Sequence, residues 1–400
     1  MRRGGALVLG GAVLTAAIVF ASRPLGVAGL GLILAALIAR AWMAVASWPV
    51  DVHATIVPDP ATEGDDVTLH IAARRGSRIP VGAVVVTGTL GRFGAFECRL
   101  RGYGRVVTGE VSLGELPRGR FVSSDAAIEL RDPLGLESRS RPLGATVSAV
   151  VYPLLVELES LFSDTGRFGN DGRRLLLRRP AGFDLHSVRD YEQGESLRRV
   201  HWPTTARRGH LMVKELEESP RDSVAVVLDC DPAGQAGNPP DSSFDQATRA
   251  AGSILRAYAA RGRRAVLVTT GQDAHAVATG SPRDDFQVAL VALAAAQPDA
   301  PHELARVLGQ ARTPVAHAGE LVVVTSVLAP SSTTQLLDLA TRRLVSVVWI
   351  DAPSFAGRPT RVAPGALRLS AAGIPVSVIR FEDDLAAALE APRRKAHVQG

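Results

Sequence analysis

The first fifty residues are the most apolar part of the chain. Residues 4–21 contain no charged side chain over 18 positions, and residues 24–39 form a second uncharged stretch. An α-helix crosses the hydrocarbon core of a bilayer with roughly 17 to 25 apolar residues. Because only Ser22 and Arg23 separate the two stretches, the pattern predicts a membrane hairpin of two transmembrane helices in residues 1–50.

The residues that flank these stretches predict which side of the membrane the remaining chain occupies. Two arginines precede the first stretch, and Arg40, Trp42 and Trp48 follow the second. Basic residues favour the cytoplasmic side, and tryptophan is enriched at the membrane interface. We therefore expect a multi-pass protein of the cell membrane whose soluble domains face the cytoplasm. A cleaved signal peptide that ends near Ala21 is the alternative that the pattern leaves open.

Beyond the membrane hairpin the pattern changes twice. Residues 51–152 show short alternating runs broken by Gly, Pro and Asp, which predicts an all-β sandwich. Residues 223–390 alternate apolar runs with helical spacing, which predicts a doubly wound, mostly parallel α/β sheet. Within them, residues 274–279 are a candidate strand and residues 352–372 a predicted loop. Polar residues 153–222 lie between the two modules, and residues 391–400 form a basic tail.

Ligand chemistry on a doubly wound sheet concentrates beyond the carboxyl ends of its strands. That rule places several hydroxyl and carboxylate side chains at one edge of the predicted sheet. They are Asp229, Asp231, Thr269, Thr270, Thr325, Ser326 and Asp351. Oxygen ligands of this kind suit magnesium.

Composition narrows the classes of function. Hydrophobic residues make up 46% of the chain and charged residues 21%, which is too apolar for a disordered protein. The net charge of +5 comes from 45 basic and 40 acidic residues. Their interleaving argues against a nucleic-acid groove, and no glycine-rich phosphate loop follows a strand. Two cysteines are too few for a disulfide framework. We therefore expect neither a nucleic-acid partner nor a nucleotide bound by this chain.

The polar segment contains the most distinctive motif. Residues 189–202 read Arg-Asp-Tyr-Glu-Gln-Gly-Glu-Ser-Leu-Arg-Arg-Val-His-Trp, and Leu-Met-Val-Lys-Glu follows at 211–215. Arginine forks alternate here with carboxylates, which suits salt bridges or a partner surface. The residues that define the motif are Arg189, Tyr191, Gly194, Glu195, Arg198, His201, Trp202, Arg207, Lys214 and Glu215. Two alternatives remain for this motif. It could be a network that only joins the two modules, or an acid/base site built on its histidines.

This motif resembles that of bacterial domain-of-unknown-function family fifty-eight, the MoxR-associated, von Willebrand A-like membrane proteins. The resemblance covers most of the chain, although Glu195 stands where the family usually has aspartate. It implies an immunoglobulin-like β module, a von Willebrand A-like α/β domain and a MoxR-type AAA+ ATPase as partner. An A-domain would hold a divalent cation with Asp-x-Ser-x-Ser, whereas residues 229–233 read Asp-Cys-Asp-Pro-Ala.

These features together predict a membrane-anchored adaptor that binds a protein partner and is not an enzyme. Its partners are the lipid bilayer and, from the resemblance, the MoxR-type ATPase. The sequence establishes no cofactor, and magnesium is the ion that Asp229 and Asp231 suit. A divalent-metal-dependent hydrolase that uses those two aspartates is the alternative function.

Overall fold

A computed structural model describes most of the chain in two compact units, Met1–Tyr152 and Pro153–Gly400. The described residues are 5–46, 50–91, 94–102, 104–123, 125–143, 147–164, 185–191, 200–216, 223–271, 282–300, 303–310, 314–360 and 363–391. The basic tail lies outside them except for its first residue.

The first unit begins with two apolar helices, α1 (Gly5–Val19) and α2 (Arg23–Ala46). They pack closely at Gly10 and Gly29, because a Cβ atom built on Gly29 would lie 2.8 Å from the backbone nitrogen of Leu14. Gly31, on another face of α2, has open space around it. Small residues at a helix contact let two backbones approach each other, as in many membrane helix pairs.

One helix among the described residues is long and apolar enough to cross a membrane. It is α2, with 24 residues and a mean hydropathy of 1.9 over its most apolar window. Helix α1 has 15 residues, which at 1.5 Å per residue gives about 22 Å, less than the roughly 30 Å of a hydrocarbon core. The length of α2 therefore agrees with a membrane anchor, and the described part of α1 is short for a second crossing.

Ten strands follow α2 and form a β-sandwich. They are β1 (Val50–Val57), β2 (Ala61–Thr62), β3 (Asp66–Arg75), β4 (Ala83–Leu90), β5 (Gly94–Leu100), β6 (Val106–Glu115), β7 (Gly119–Ser123), β8 (Ala127–Arg131), β9 (Ser138–Pro142) and β10 (Val147–Tyr152). Their sheets have the orders β1-β3-β6, β5-β4-β8-β9 and β2-β10-β7. Side chains alternate between the core and solvent along β3 and β5, which is the pattern that the sequence predicts for a sandwich.

The C-terminal end of α2 packs against this sandwich. Met43 is fully buried and packs in the same apolar cluster as the strands. Trp42 donates its indole Nε1–H to the carbonyl of Pro80 at 2.9 Å, and Arg75 donates to the carbonyls of Ala46 and Ile79. The β module is therefore fixed directly on the end of the apolar helix.

The second unit contains a two-stranded hairpin and an α/β body. The hairpin consists of β11 (Leu185–Asp190), helix α3 (Trp202–Arg208) and β12 (Met212–Leu216). The strands of the body are β13 (Val224–Leu228), β14 (Ala265–Thr269), β15 (Glu320–Thr325), β16 (Leu344–Ile350) and β17 (Val376–Ile379). Its helices are α4 (Ser243–Ala260), α5 (Pro282–Ala295), α6 (Leu304–Gly309), α7 (Pro314–His317), α8 (Pro330–Ala340), α9 (Ala352–Phe355), α10 (Pro364–Ala371) and α11 (Leu385–Leu389).

The body is a parallel sheet with the strand order β14-β13-β15-β16-β17. Every residue of β13, β14 and β15 is buried, as expected for a parallel sheet covered by helices on both faces. Chain order reverses between β13 and β15, so the sheet has a topological switch point there. Residues 153–164 also belong to this unit, since Leu161 and Phe162 pack in its core.

One expectation for this body was wrong, and another falls outside the described residues. The predicted loop at residues 352–372 contains helices α9 and α10 instead. Their first turns begin with proline, whose fixed φ angle suits a helix start, so the Pro and Gly content that indicated a loop marks helix ends here. The candidate strand at residues 274–279 lies outside the part of the chain that the structure describes.

The contact between α1 and α2 gives a first prediction. We expect Gly29→Ala to lower stability, because its new methyl group meets the backbone of α1, and overpacking of this kind costs about 1 to 3 kcal/mol. Gly31→Ala is the matched control and should not lower stability, since its methyl group meets open space. Thermal unfolding of the detergent-solubilised protein measures both. Equal effects of the two substitutions would contradict the close contact at Gly29.

Candidate functional site

The carboxyl ends of the parallel strands, here called the carboxyl edge, bring together three residues on neighbouring strands. Asp229 follows β13, Thr270 follows β14, and Thr325 ends β15. The Thr325 hydroxyl donates to Asp229 Oδ2 at 2.7 Å, and the Thr270 hydroxyl donates to Oδ1 at 3.2 Å. The carboxylate is therefore held across the switch point of the sheet by one hydroxyl from each side.

Burial controls the protonation of this carboxylate. Asp229 lies in the interior, and the loss of hydration raises its pKa above the ordinary value. The hydrogen bonds from Thr325 and Thr270 oppose this shift, while the charge of Asp231 adds to it. The site therefore favours a protonated Asp229 more than water does.

The two residues after Asp229 have different environments. Burial raises the pKa of the Cys230 thiol to about 12, so the thiol stays protonated at neutral pH and is a poor nucleophile. Asp231 is half-buried and accepts a hydrogen bond from the backbone N–H of Ala233 at 2.9 Å. It thereby caps the short 3-10 turn Pro232–Gly234. Both carboxylates are thus engaged within the chain.

A third carboxylate lies at the same edge, beyond β16. Asp351 is 0% exposed, and neither of its carboxylate oxygens accepts a hydrogen bond from the part of the chain that the structure describes. It forms a long ion pair with Arg380, whose Nε lies 3.8 Å from Oδ2. A buried charge without hydrogen bonds is costly. Asp351 therefore differs from Asp229, whose oxygens both have donors.

The sequence placed these groups at the same edge but did not predict the hydrogen bonds between them. Of the hydroxyls placed at this edge, those of Thr270 and Thr325 bond to Asp229. Within the described residues, no three His, Cys, Asp or Glu side chains stand close enough together to hold a metal ion. Metal binding by Asp229 and Asp231 stays a prediction from the sequence.

The polar motif folds into the β11–β12 hairpin. Val188 pairs with Lys214, and Arg189 pairs with Val213 in antiparallel register. Glu215 faces Ser187 in the same register. The motif residues Arg189, Lys214 and Glu215 therefore occupy neighbouring positions on two strands. The motif residues Gly194, Glu195 and Arg198 lie outside the described residues.

Helix α3 connects the second half of the motif to β12. His201 caps its start: Nδ1 accepts the backbone N–H of Thr204 at 3.3 Å and lies 2.7 Å from the hydroxyl of that residue. Gly209 ends the helix with a φ angle of 76°, a left-handed conformation that glycine adopts without strain. Thr205 accepts the backbone N–H of Met212 through its hydroxyl at 3.0 Å. These bonds hold a helix of only seven residues in a fixed position.

The fixed helix exposes an aromatic side chain. Trp202 is 63% exposed, and Arg207 is exposed at the other end of the helix. Tyr191, by contrast, is half-buried, and its backbone N–H donates to Leu211. His210 lies beside the hairpin, with Nε2 2.9 Å from Asp190 Oδ1. Tryptophan and arginine are among the residues enriched in protein-binding hot spots.

Helix α3 itself was not predicted, although the sequence carries a signal for it. Pro203 in a first turn and Gly209 after a last turn are the residues that commonly begin and end helices. The unusual cap concealed this signal, because His201 replaces the Ser, Thr, Asp or Asn that normally marks a helix start. The structure thereby assigns His201 a role as a helix cap.

These features define a protein with an apolar N-terminal helix pair, a β-sandwich and a parallel α/β body. Residues 187–356 match the family described as Protein of unknown function DUF58 and belong to it. The family predicted from the motif is thereby confirmed. The chain is 24% identical over 252 residues to the Uncharacterized protein YeaD of Bacillus subtilis (strain 168), a match that covers 61% of each protein.

A solved structure, Cwp6 from Clostridium difficile, was also matched. The match covers 75% of this chain and 37% of that one, with 8% sequence identity and a TM-score of 0.22. A score this low gives no information about the fold or the function of the present chain.

The environment of Asp229 predicts a pH-dependent effect of Asp229→Asn. The folded protein keeps the proton of Asp229 at pH values where the unfolded chain has lost it, so the contribution of this group to stability falls as pH rises above about 4. We therefore expect the stability of Asp229→Asn, relative to the unsubstituted protein, to increase between pH 4 and pH 7. Thermal unfolding across this range measures the difference.

The control for this prediction is Glu157→Gln, which removes one negative charge from an exposed side chain that pairs with Arg256 at 3.3 Å. Exposed pairs of this kind contribute little to stability, so this variant should follow the unsubstituted protein at each pH. If the stability of Asp229→Asn changed with pH in the same way as that of the unsubstituted protein, the carboxyl group of Asp229 would not have the raised pKa described above.

Proposed function

We propose that this protein is a membrane-anchored adaptor that binds a protein partner through the motif hairpin. Its domains face the cytoplasm, and both apolar helices cross the bilayer. The observation that carries the proposal is the exposed indole of Trp202 on a helix whose start and end are both fixed. This tryptophan lies within the stretch that belongs to the family.

The apolar helices support the anchoring part of the proposal. Their contact at Gly10 and Gly29 pairs them as a hairpin, and several of their large apolar side chains point outward, among them Val8, Ile18, Val27 and Ile38. Water disfavours such a surface, whereas lipid tails accept it. Burial of Met43 in the β module rather than in lipid leaves residues 23–39 of α2 for the membrane. That stretch is close in length to α1, so the two helices match as a pair in a thin bilayer.

The motif hairpin supports the docking part. Trp202 and Leu211 are exposed apolar side chains, and Arg207 and Arg208 are exposed in the last turn of α3. Tryptophan and arginine dominate the binding energy of many interfaces, because a large flat side chain loses water on contact and a guanidinium makes several directed hydrogen bonds. The matching partner surface has a pocket for the indole and carboxylates near its rim. A MoxR-type AAA+ ATPase is the partner that the resemblance implies.

The fold supports two finer assignments in the same proposal. The sandwich of mostly antiparallel sheets is the architecture of immunoglobulin-like modules. The parallel sheet, with Asp229 at its switch point, is compatible with a von Willebrand A-like body in which the second and third residues of the metal motif have been replaced. In such a body the partner contact moves from the metal site to the motif hairpin.

The orientation of the protein is tested by protease accessibility. We expect protease added to intact cells to leave the β-sandwich and the α/β body uncut, because both lie on the cytoplasmic side. Inverted membrane vesicles should expose them to complete digestion. Immunodetection of a C-terminal epitope measures both samples. Digestion in intact cells would show that the domains face outward and would remove a cytoplasmic ATPase from consideration.

The docking surface is tested by Trp202→Ala. Loss of a hot-spot tryptophan costs about 2 kcal/mol or more, so we expect the affinity for a purified MoxR-type ATPase to fall roughly 30-fold. Surface plasmon resonance with the detergent-solubilised adaptor measures this affinity. Leu367→Ala is the control, because Leu367 is 59% exposed on α10, outside the family stretch. His201→Asn, which keeps a helix cap, should retain binding.

Binding that Trp202→Ala leaves unchanged would remove the motif hairpin as the docking surface. Binding that Leu367→Ala weakens equally would show that the effect is not specific to the hairpin. If the unsubstituted adaptor did not bind the ATPase at all, the partner implied by the resemblance would be wrong.

A further inference from the structure

The end of the β-sandwich that meets α2 forms a distinct surface. Strand β1 begins at Val50 beside α2 and ends at Val57, about 23 Å away at 3.3 Å per residue. Three loops lie at the Val50 end, because they connect the strand ends that pair there. The described residues of these loops are 76–82, 101–102, 104–105 and 132–137. Together with the strand residues that adjoin them, they are here called the proximal rim.

The contacts of α2 place the proximal rim at the level of the membrane interface. Trp42 bonds to the carbonyl of Pro80 in the first loop, and Arg40 lies 3.9 Å from Glu137 in the third. From Arg23 to Arg40 an α-helix rises about 26 Å, close to the thickness of a hydrocarbon core. If α2 crosses the bilayer, the rim therefore lies at the headgroup layer.

The charges of the β module are separated between its two ends. The exposed arginines at the proximal rim are Arg74, Arg78, Arg101 and Arg105, together with Arg131, which pairs with Glu129 at 3.0 Å. Asp51, the register partner of Arg74, adds one exposed carboxylate at this end. Toward the opposite end, four exposed acidic residues outnumber two exposed arginines; they are Asp59, Asp66, Glu115 and Asp125, against Arg120 and Arg141. The end that meets α2 is therefore the basic one, and an anionic surface attracts it.

One loop of the rim also presents an apolar side chain in a fixed position. Leu134 is 68% exposed at the tip of its turn. The buried carboxylate of Asp132 accepts the backbone N–H groups of Leu134 at 2.9 Å and of Leu136 at 2.8 Å. A Cβ atom on Gly82 would lie 2.4 Å from the carbonyl oxygen of Asp132, so the loops are in close contact. The turn is thus held firmly while its leucine points outward.

From these observations we propose that the proximal rim is a second membrane contact of this protein. It rests on the bilayer that α2 enters, with its arginines on the phosphates of anionic phospholipids and Leu134 among the outer parts of the acyl chains. This inference rests on the anchoring part of the proposed function. Each basic side chain near an anionic leaflet adds to the attraction, and the rim offers four such side chains around one apolar tip.

The test uses the full-length protein in vesicles and a fluorophore attached at Leu134→Cys. The native thiols of Cys98 and Cys230 are buried, so the introduced thiol is labelled selectively. Lipids that carry a nitroxide near the headgroup quench a fluorophore only at short range. We expect quenching several-fold stronger than for Val57→Cys, the control at the far end of β1, where Val57 is 50% exposed.

Lipid composition tests the role of the arginines. Quenching at Leu134→Cys should be stronger in vesicles with phosphatidylglycerol than in vesicles of phosphatidylcholine alone. Replacement of Arg74, Arg78, Arg101 and Arg105 by Gln should remove this difference. Equal quenching in both kinds of vesicle before the replacement would overturn the proposed contact with anionic headgroups.

Flotation of the vesicles in the same samples separates this inference from the anchoring on which it rests. Protein that floats with the vesicles while its Leu134→Cys label is no more quenched than the Val57→Cys label would overturn the rim contact and leave the anchor intact. Protein that does not float would overturn both.

Discussion

The arrangement of the N-terminal unit depends on the burial of Met43, near the end of α2, in the core of the β-sandwich. An apolar helix that ended in a flexible linker would let the β module move freely. Here Met43 packs among the strands, and Arg75 bonds to the carbonyl of Ala46, the last residue of the helix. The buried guanidinium of Arg75 loses hydration, which lowers its pKa. Its bonds to carbonyl groups offset that cost, and they fix the β module to the helix as one body.

The α/β body follows a separate constraint, which is the reversal of strand order between β13 and β15. At that point the helices diverge from the sheet and leave a crevice in which polar groups can lie. Asp229 occupies it, and hydroxyls from the neighbouring strands fill its hydrogen bonds. A cation at this position would compete with the threonine hydroxyls for the carboxylate. The Asp229 carboxylate therefore already has a hydrogen-bond donor at each oxygen within the chain.

Periodicity in the sequence predicted the layers of the fold because burial alone determines them. Strand β3 has one face exposed to solvent, so its apolar and polar residues alternate. Strands β13 and β15 are buried on both faces, so their residues form continuous apolar runs. Hydrogen bonds that depend on side-chain direction were not predictable in the same way. The sequence placed Thr325 and Asp229 at one edge, yet the choice of Thr325 over Ser326 depends on which face of the strand each residue occupies. Helix α3 escaped prediction because His201 is an uncommon cap.

The two polar regions of the second unit differ in what remains for a partner to bind. At the carboxyl edge Asp229 and Asp231 are already bonded within the chain, so a partner there would have to replace existing bonds. A partner that covers the indole of Trp202 does not have to replace bonds of this kind. Complete burial of a tryptophan side chain removes roughly 150 to 250 Å² from water. At about 25 cal/mol per Å², covering the part of Trp202 that is still exposed would contribute about 3 kcal/mol to binding. That energy is released only when another surface covers the indole, and the fixed ends of α3 limit the conformational entropy lost on contact.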